Sequence, residues 1–89
     1  MASRKLINKV WKLAKPIRGK DPAEYRQDPY GTTLRRSSYG KNSKMGWGID
    51  HIKPKARGGS DAVQNLQALQ TKKNLEKGDS LVKKSRHNQ

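Results

Sequence analysis

Cysteine is absent from the 89-residue chain, and so is phenylalanine. Without cysteine there is no disulfide and no Cys-ligated zinc to staple a small fold. Without phenylalanine, and with only 30% hydrophobic residues, the core is expected to be small and its stability modest. No run is apolar enough for a signal peptide or a membrane span, so the expectation is a cytoplasmic protein with no membrane partner. Acids are scarce too: 7 Asp and Glu stand against 21 Lys and Arg, a net charge of +14. A field of that sign attracts polyanions, and counterion release from nucleic acid is the expected driving force for binding.

What is present divides unevenly along one domain. Residues 3–14, SRKLINKVWKLA, show helical periodicity, with Leu6, Val10 and Leu13 on one face and Ile7, Trp11 and Ala14 beside them. Ser3 is a candidate N-cap, and Pro16 supports a stop near residue 15. The stripe suits packing on a core better than lying on a membrane or a duplex. Residues 16–31 carry three prolines and two glycines, and read as loop with a helical turn at Ala23–Arg26. Thr32–Tyr39 reads as extended, and residues 39–43 as a turn. Domain bounds follow: a basic amphipathic helix and linker over 1–20, a compact domain over 21–79, and a basic, frayed tail over 80–89, in which His87 has no evident partner.

Residues 46–52, GWGIDHI, alternate as a strand, with Trp47, Ile49 and His51 on one face and Gly48, Asp50 and Ile52 on the other. Trp47 is expected in the core. Pro54 ends the pairing, and the following loop bends at Gly58-Gly59. Asn65–Gln70 can form the antiparallel partner strand. Thr71 is a candidate N-cap for a helix, TKKNLEK, that stops at Gly78. Folded as a hairpin with the helix across it, His51, Asn65 and Asn74 can converge, at intervals of 14 and 9 residues.

Taken singly, these residues have ordinary uses. Asp50 can pair with Lys53 or Arg57, Asn65 can cap a bend, and Asn74 can sit exposed on a helix. Together, Asp50-His51-Ile52, Pro54, Gly58-Gly59, Asn65-Leu66, Asn74 and Lys77 resemble the HNH (His-Asn-His) endonucleases of the ββα-metal fold. Arg26-x-Asp28, Tyr30-Gly31, Tyr39-Gly40 and Gly46-Trp47 are similar to the cysteine-free subgroup of small bacterial and phage members. The resemblance implies an α+β fold, a hairpin-plus-helix motif with an N-terminal helical extension. It implies a metal-dependent DNA endonuclease of little or no sequence specificity, with His51 as general base, Asp50 and Asn74 as ligands of one metal ion, and Asn65 holding the histidine backbone across the loop.

The chemistry of these side chains agrees. Histidine is the side-chain type suited to proton transfer near neutral pH, so His51 is the candidate to take a proton from water. Asp50 and Asn74 offer hard oxygens suited to Mg²⁺ or Mn²⁺. Gln70 and Lys73 stand where many family members carry a second Cys pair, so no structural zinc is expected. Lys53, Lys55, Arg57, Lys72, Lys73 and Lys77 are candidate phosphate contacts, without a base code. Gly48 departs from relatives that place an acid there, which marks it as a position that modifies activity. The partner expected is double-stranded DNA, and a homodimer or larger protein partner would allow both strands to be cut. The competing reading is a non-catalytic nucleic-acid-binding module on the same frame. A third, a membrane-active basic protein, rests on residues 3–20 alone.

Overall fold

The computed structural model describes residues 2–77 and 84–88, with the side chains of Glu76, Lys77 and Asn88 outside that description. The chain opens with helix α1, Arg4–Leu13. Ser3 caps it as expected, its Oγ accepting a hydrogen bond from the Leu6 amide. At the other end Arg26 donates from Nη1 to the carbonyls of Lys12 and Ala14. A guanidinium there satisfies carbonyls that the helix leaves open and meets the negative end of its dipole.

Three short strands follow: β1 Lys15–Pro16, β2 Tyr25–Gln27 and β3 Thr33–Arg35, antiparallel in the order β1-β2-β3. The expected helical turn at Ala23–Arg26 is replaced by this sheet, in which Tyr25 pairs with Arg35 and Gln27 with Thr33. Pro16 is tolerated because β1 is an edge strand, where no ladder amide is missed. The extended stretch expected over Thr32–Tyr39 is extended only to Arg35 and then tightens into a 3-10 turn, Arg36–Ser38.

The second half is a hairpin and a helix. Strands β4, Trp47–His51, and β5, Leu66–Gln70, pair antiparallel over five positions, from Trp47 opposite Gln70 to His51 opposite Leu66. Helix α2, Thr71–Lys77, begins directly after β5. Thr71 is thus its first residue rather than its cap. Its amide donates to the Gly46 carbonyl at 3.0 Å, which ties the start of the helix to the start of the hairpin. A Cβ on Gly46 would stand 1.9 Å from the Lys41 carbonyl oxygen, so only glycine permits this close approach. This is the α+β arrangement expected, with a ββα unit and an N-terminal helical extension.

One face of the hairpin makes the core with α1. Val10, Trp11, Ala14, Leu34, Trp47, Leu66 and Ala68 are buried together. Trp47 is at its centre: its ring lies 5.2 Å from that of Trp11 and edge-on to Tyr39 at 5.0 Å, and Nε1 donates to the Arg35 carbonyl at 3.0 Å. Two indoles supply the bulk that phenylalanine would supply elsewhere. The buried stripe of α1 is rotated from the simplest reading, since Leu13 is exposed while Trp11 and Ala14 are buried.

Asp28 ties the two halves together. It is buried, with Oδ1 accepting from the amides of Tyr30 and Thr32 and Oδ2 from the amide of Gln70. The last of these bonds fixes the junction of β5 and α2. At the far end, residues expected to fray are docked on β5. Arg86 Nε donates to the Leu66 carbonyl, and His87, expected to lack a partner, has its Nε2 2.9 Å from the Gln64 carbonyl oxygen. Burial lowers the Arg86 guanidinium below its ordinary range. The stop expected at Gly78 lies outside the described residues. None of the described helices is long and apolar enough to cross a membrane.

Candidate active site

Strand alternation sends Asp50 and His51 to opposite faces of the hairpin. Asp50 lies on the face covered by α2 and is 4% exposed. Its cross-strand neighbour is Gln67, whose Nε2 donates to Asp50 Oδ2 at 2.9 Å. Gln67 is itself fixed, because its Oε1 accepts from the Arg86 amide and its Nε2 also reaches the Lys84 carbonyl. The carboxylate is therefore held in one orientation by a buried amide that has no freedom to turn away.

Asn74 reaches the same face from the first turns of α2. Its Nδ2 lies 3.9 Å from the point where a Cβ on Gly48 would stand. Gly48, Asp50 and Asn74 thus surround one patch between strand and helix. Asn74 supplies an amide and Asp50 a carboxylate, both hard oxygen donors. Among the described residues, no three His, Cys, Asp or Glu side chains converge on a common point. The donor set fits a hard divalent cation that keeps most of its water shell, as Mg²⁺ does.

His51 is the last residue of β4. Its side chain is 29% exposed, so water and a phosphate can reach it. It lies in an open cleft of about 370 Å³ lined by Ala2, Leu6, Ile49, His51, Asp61 and Leu66. His51 Nε2 is 2.8 Å from Asp61 Oδ1, and Asp61 Oδ2 accepts from Lys55 Nζ at 3.1 Å. These contacts, the His51 hydrogen bond first and the Lys55 bond and charge after it, hold the Asp61 carboxyl below its usual range. A depressed carboxylate favours the folded form above the ordinary carboxylate range, and that contribution is lost as pH falls through the lowered value.

The loop between the strands is closed by Asn65. Its Oδ1 accepts from the Lys53 amide at 2.8 Å, while Nδ2 donates to the carbonyls of Lys53 and Ser60. The Ile52 amide, next to His51, donates to the Asn65 carbonyl. Gly58 and Gly59 serve this closure differently. Gly58 has a φ of 89°, a left-handed turn, whereas a Cβ on Gly59 would stand 1.8 Å from the Lys53 carbonyl oxygen. Gly59→Ala must displace the backbone that Asn65 grips. The expected result is a loss of about 2–3 kcal/mol in stability, read by chemical denaturation.

The basic residues divide. Lys53, Arg57 and Lys72 are exposed, and Lys55 is exposed but bonded to Asp61. Lys73 instead turns toward the N-terminal half, donating to Thr32 Oγ1 and Gln70 Oε1 and lying over the Tyr30 ring at 5.5 Å. The side chain of Lys77 lies outside the described residues. Sequence reading missed two residues that touch the site, Asp61 and Gln67. The hairpin register places Gln67 opposite Asp50, and Asp61 is the one acid in an otherwise basic loop, so both had a signal.

Residues 38–80 match the family model described as HNH endonuclease. Over these residues the chain is similar to the HNH endonucleases. No curated protein and no solved structure matches the chain. The HNH segment begins after β3, so α1 and the three-stranded sheet, which supply Val10, Trp11, Ala14 and Leu34 to its core, lie outside the matched region. HNH nucleases act on nucleic acid and typically use a divalent metal, which agrees with the oxygen donors at Asp50 and Asn74.

Proposed function

We propose that the protein is a divalent-metal-dependent endonuclease that hydrolyses phosphodiester bonds of double-stranded DNA with little sequence preference. The observation that carries this reading is the placement, within one HNH hairpin and helix, of Asp50 and Asn74 on one face and His51 at the strand end. Asp50 and Asn74 would hold Mg²⁺ or Mn²⁺, which when bound supplies neutralisation of charge at the phosphate and the leaving oxygen. A phosphodiester lying across the end of β4 would meet both faces of the hairpin.

His51 takes the proton of the attacking water, a task that suits histidine because imidazole exchanges protons near neutrality. Asp61, bonded at Nε2, fixes the ring and stabilises the imidazolium that forms. Asn65 keeps the backbone after His51 in place through its bonds to Lys53. Lys53, Lys55, Arg57 and Lys72 hold phosphates on either side, and the +14 net charge draws the duplex in. Nothing in this set reads base edges, in keeping with weak specificity.

Supercoiled plasmid incubated with the protein and Mg²⁺ or Mn²⁺ should pass to relaxed or linear forms, and EDTA should stop it. A plasmid that is retarded on a gel yet stays supercoiled with every divalent metal would instead mark a non-catalytic binding module.

Gly48 offers a second test. A Cβ there meets only Asn74 Nδ2, at ordinary van der Waals distance, so the backbone at Gly48 accepts a side chain, and Gly48→Glu is the substitution to try. The new carboxylate would join the face of Asp50 and Asn74. Metal affinity and cleavage rate should rise about tenfold, the scale on which groups supporting a metal site act. Isothermal titration with Mn²⁺ measures the first, and no change in either would contradict the placement of the metal on this face.

A further inference from the structure

Helix α1 carries two stripes. Leu6, Ile7, Val10, Trp11 and Ala14 face the core, and Arg4, Lys5, Asn8, Lys9 and Lys12 are all exposed on the side away from it. The four cations on the outer stripe have no carboxylate on their own element, since the first acid in the chain is Asp21. Both described salt bridges of the molecule go to Asp61 and involve none of them.

That charge runs against the preference of the helix itself. Arg4 and Lys5 occupy the first turn, where the dipole favours acids and none is present. Lys5 and Lys9 form a like-charged i,i+4 pair, which weakens a helix by a few tenths of a kcal/mol. Local rules broken in this way are expected at functional surfaces. A polyanion laid along the stripe relieves both penalties.

The stripe also starts in the right place. Ala2 and Leu6, which flank Arg4 and Lys5, line the same cleft as His51 and Asp61. From Lys5 to Lys12 the helix rises about 10 Å, a length over which a duplex presents about six phosphates. A membrane surface fits less well, because the apolar stripe that would enter the bilayer is already spent on the core.

We propose that the outer face of α1, through Arg4, Lys5, Lys9 and Lys12, is a phosphate-binding surface that grips the arm of double-stranded DNA leaving the His51 cleft. This extends the nuclease reading, on which the position of the DNA at His51 rests.

The test is DNA binding by the full chain in EDTA, where no cutting intervenes, followed by fluorescence anisotropy of a labelled duplex over a salt series. The variant R4Q/K5Q/K9Q/K12Q is compared with R18Q/K20Q/K41Q/K44Q, which removes the same charge from exposed positions elsewhere. The α1 variant should flatten the slope of log affinity against log salt by about 3.6, near 0.9 for each of the four phosphates no longer neutralised, while the control changes it by less than about 1. K5R/K9R/K12R should keep the wild-type slope, and both Gln variants should melt no lower than wild type. Equal losses in the two Gln variants would overturn the proposal, because charge alone would then explain binding. So would an unchanged slope in the α1 variant, or a loss confined to binding of phosphatidylglycerol vesicles. If the slope depends on α1 but plasmid is never cut with metal, the nuclease reading fails and this surface stands. If plasmid is cut and the slope ignores α1, the reverse holds.

Discussion

His51→Ala should lower metal-dependent cleavage by about 10²–10⁴-fold while leaving duplex binding within a few-fold of wild type. That range is what a positioned proton acceptor contributes to a hydrolysis. The division follows from geometry. His51 sits at the end of β4 beside Asp61 and Lys55, and its imidazole supports no buried strand of the core. Phosphate binding is shared among many exposed cations, so one neutral ring adds little to it. Single-turnover cleavage and anisotropy on the same preparation check both halves. A variant that binds tenfold or more weakly would show that His51 grips the substrate rather than activates water.

Trp47→Ala should cost about 3–5 kcal/mol, enough to leave a chain of this size largely unfolded at physiological temperature. Trp47 is fully buried, it stacks near Trp11 and Tyr39, and its Nε1 bonds the Arg35 carbonyl. It therefore joins α1, the three-stranded sheet and the hairpin at one point. Truncation leaves a cavity and an orphaned carbonyl together, and a core with no phenylalanine has no other ring to fill the space. Urea unfolding followed by far-ultraviolet circular dichroism reads the effect. A loss below about 1 kcal/mol would mean that the two halves of the fold do not depend on each other through this residue.

The hairpin, α2 and α1 were legible because each carries enough residues to show its period. GWGIDHI alternates over a full strand, and the apolar positions of residues 3–14 repeat at helical spacing. The sheet of β1, β2 and β3 was not legible. Its strands are two or three residues long, too short for any period, and its pairing is set by partners distant in sequence. Arg26 is the clear case: it reads as part of a helical turn, yet it lies in β2 because its guanidinium reaches back to the last carbonyls of α1. The same holds within the site. Asp50, His51, Asn65 and Asn74 stand out by type and spacing. Asp61 stands out as the one acid of its loop, but its partner shows only when the loop folds and brings it 2.8 Å from a ring ten residues earlier. Lys73 reads as one more cation near the site, but the packing of α2 turns it onto Thr32 and Gln70.

The proposed mechanism divides labour across one strand end, with Asp50 and Asn74 assigned to the metal and His51 to the proton. Mn²⁺ titration calorimetry on wild type, Asp50→Asn and His51→Ala, with plasmid cleavage measured on each, tests that division most directly. Asp50→Asn should lose Mn²⁺ affinity by about tenfold or more and lose cleavage with it, whereas His51→Ala should bind Mn²⁺ as wild type does and still fail to cut. Wild-type Mn²⁺ affinity in Asp50→Asn, or a loss of metal in His51→Ala as large as in Asp50→Asn, would contradict it.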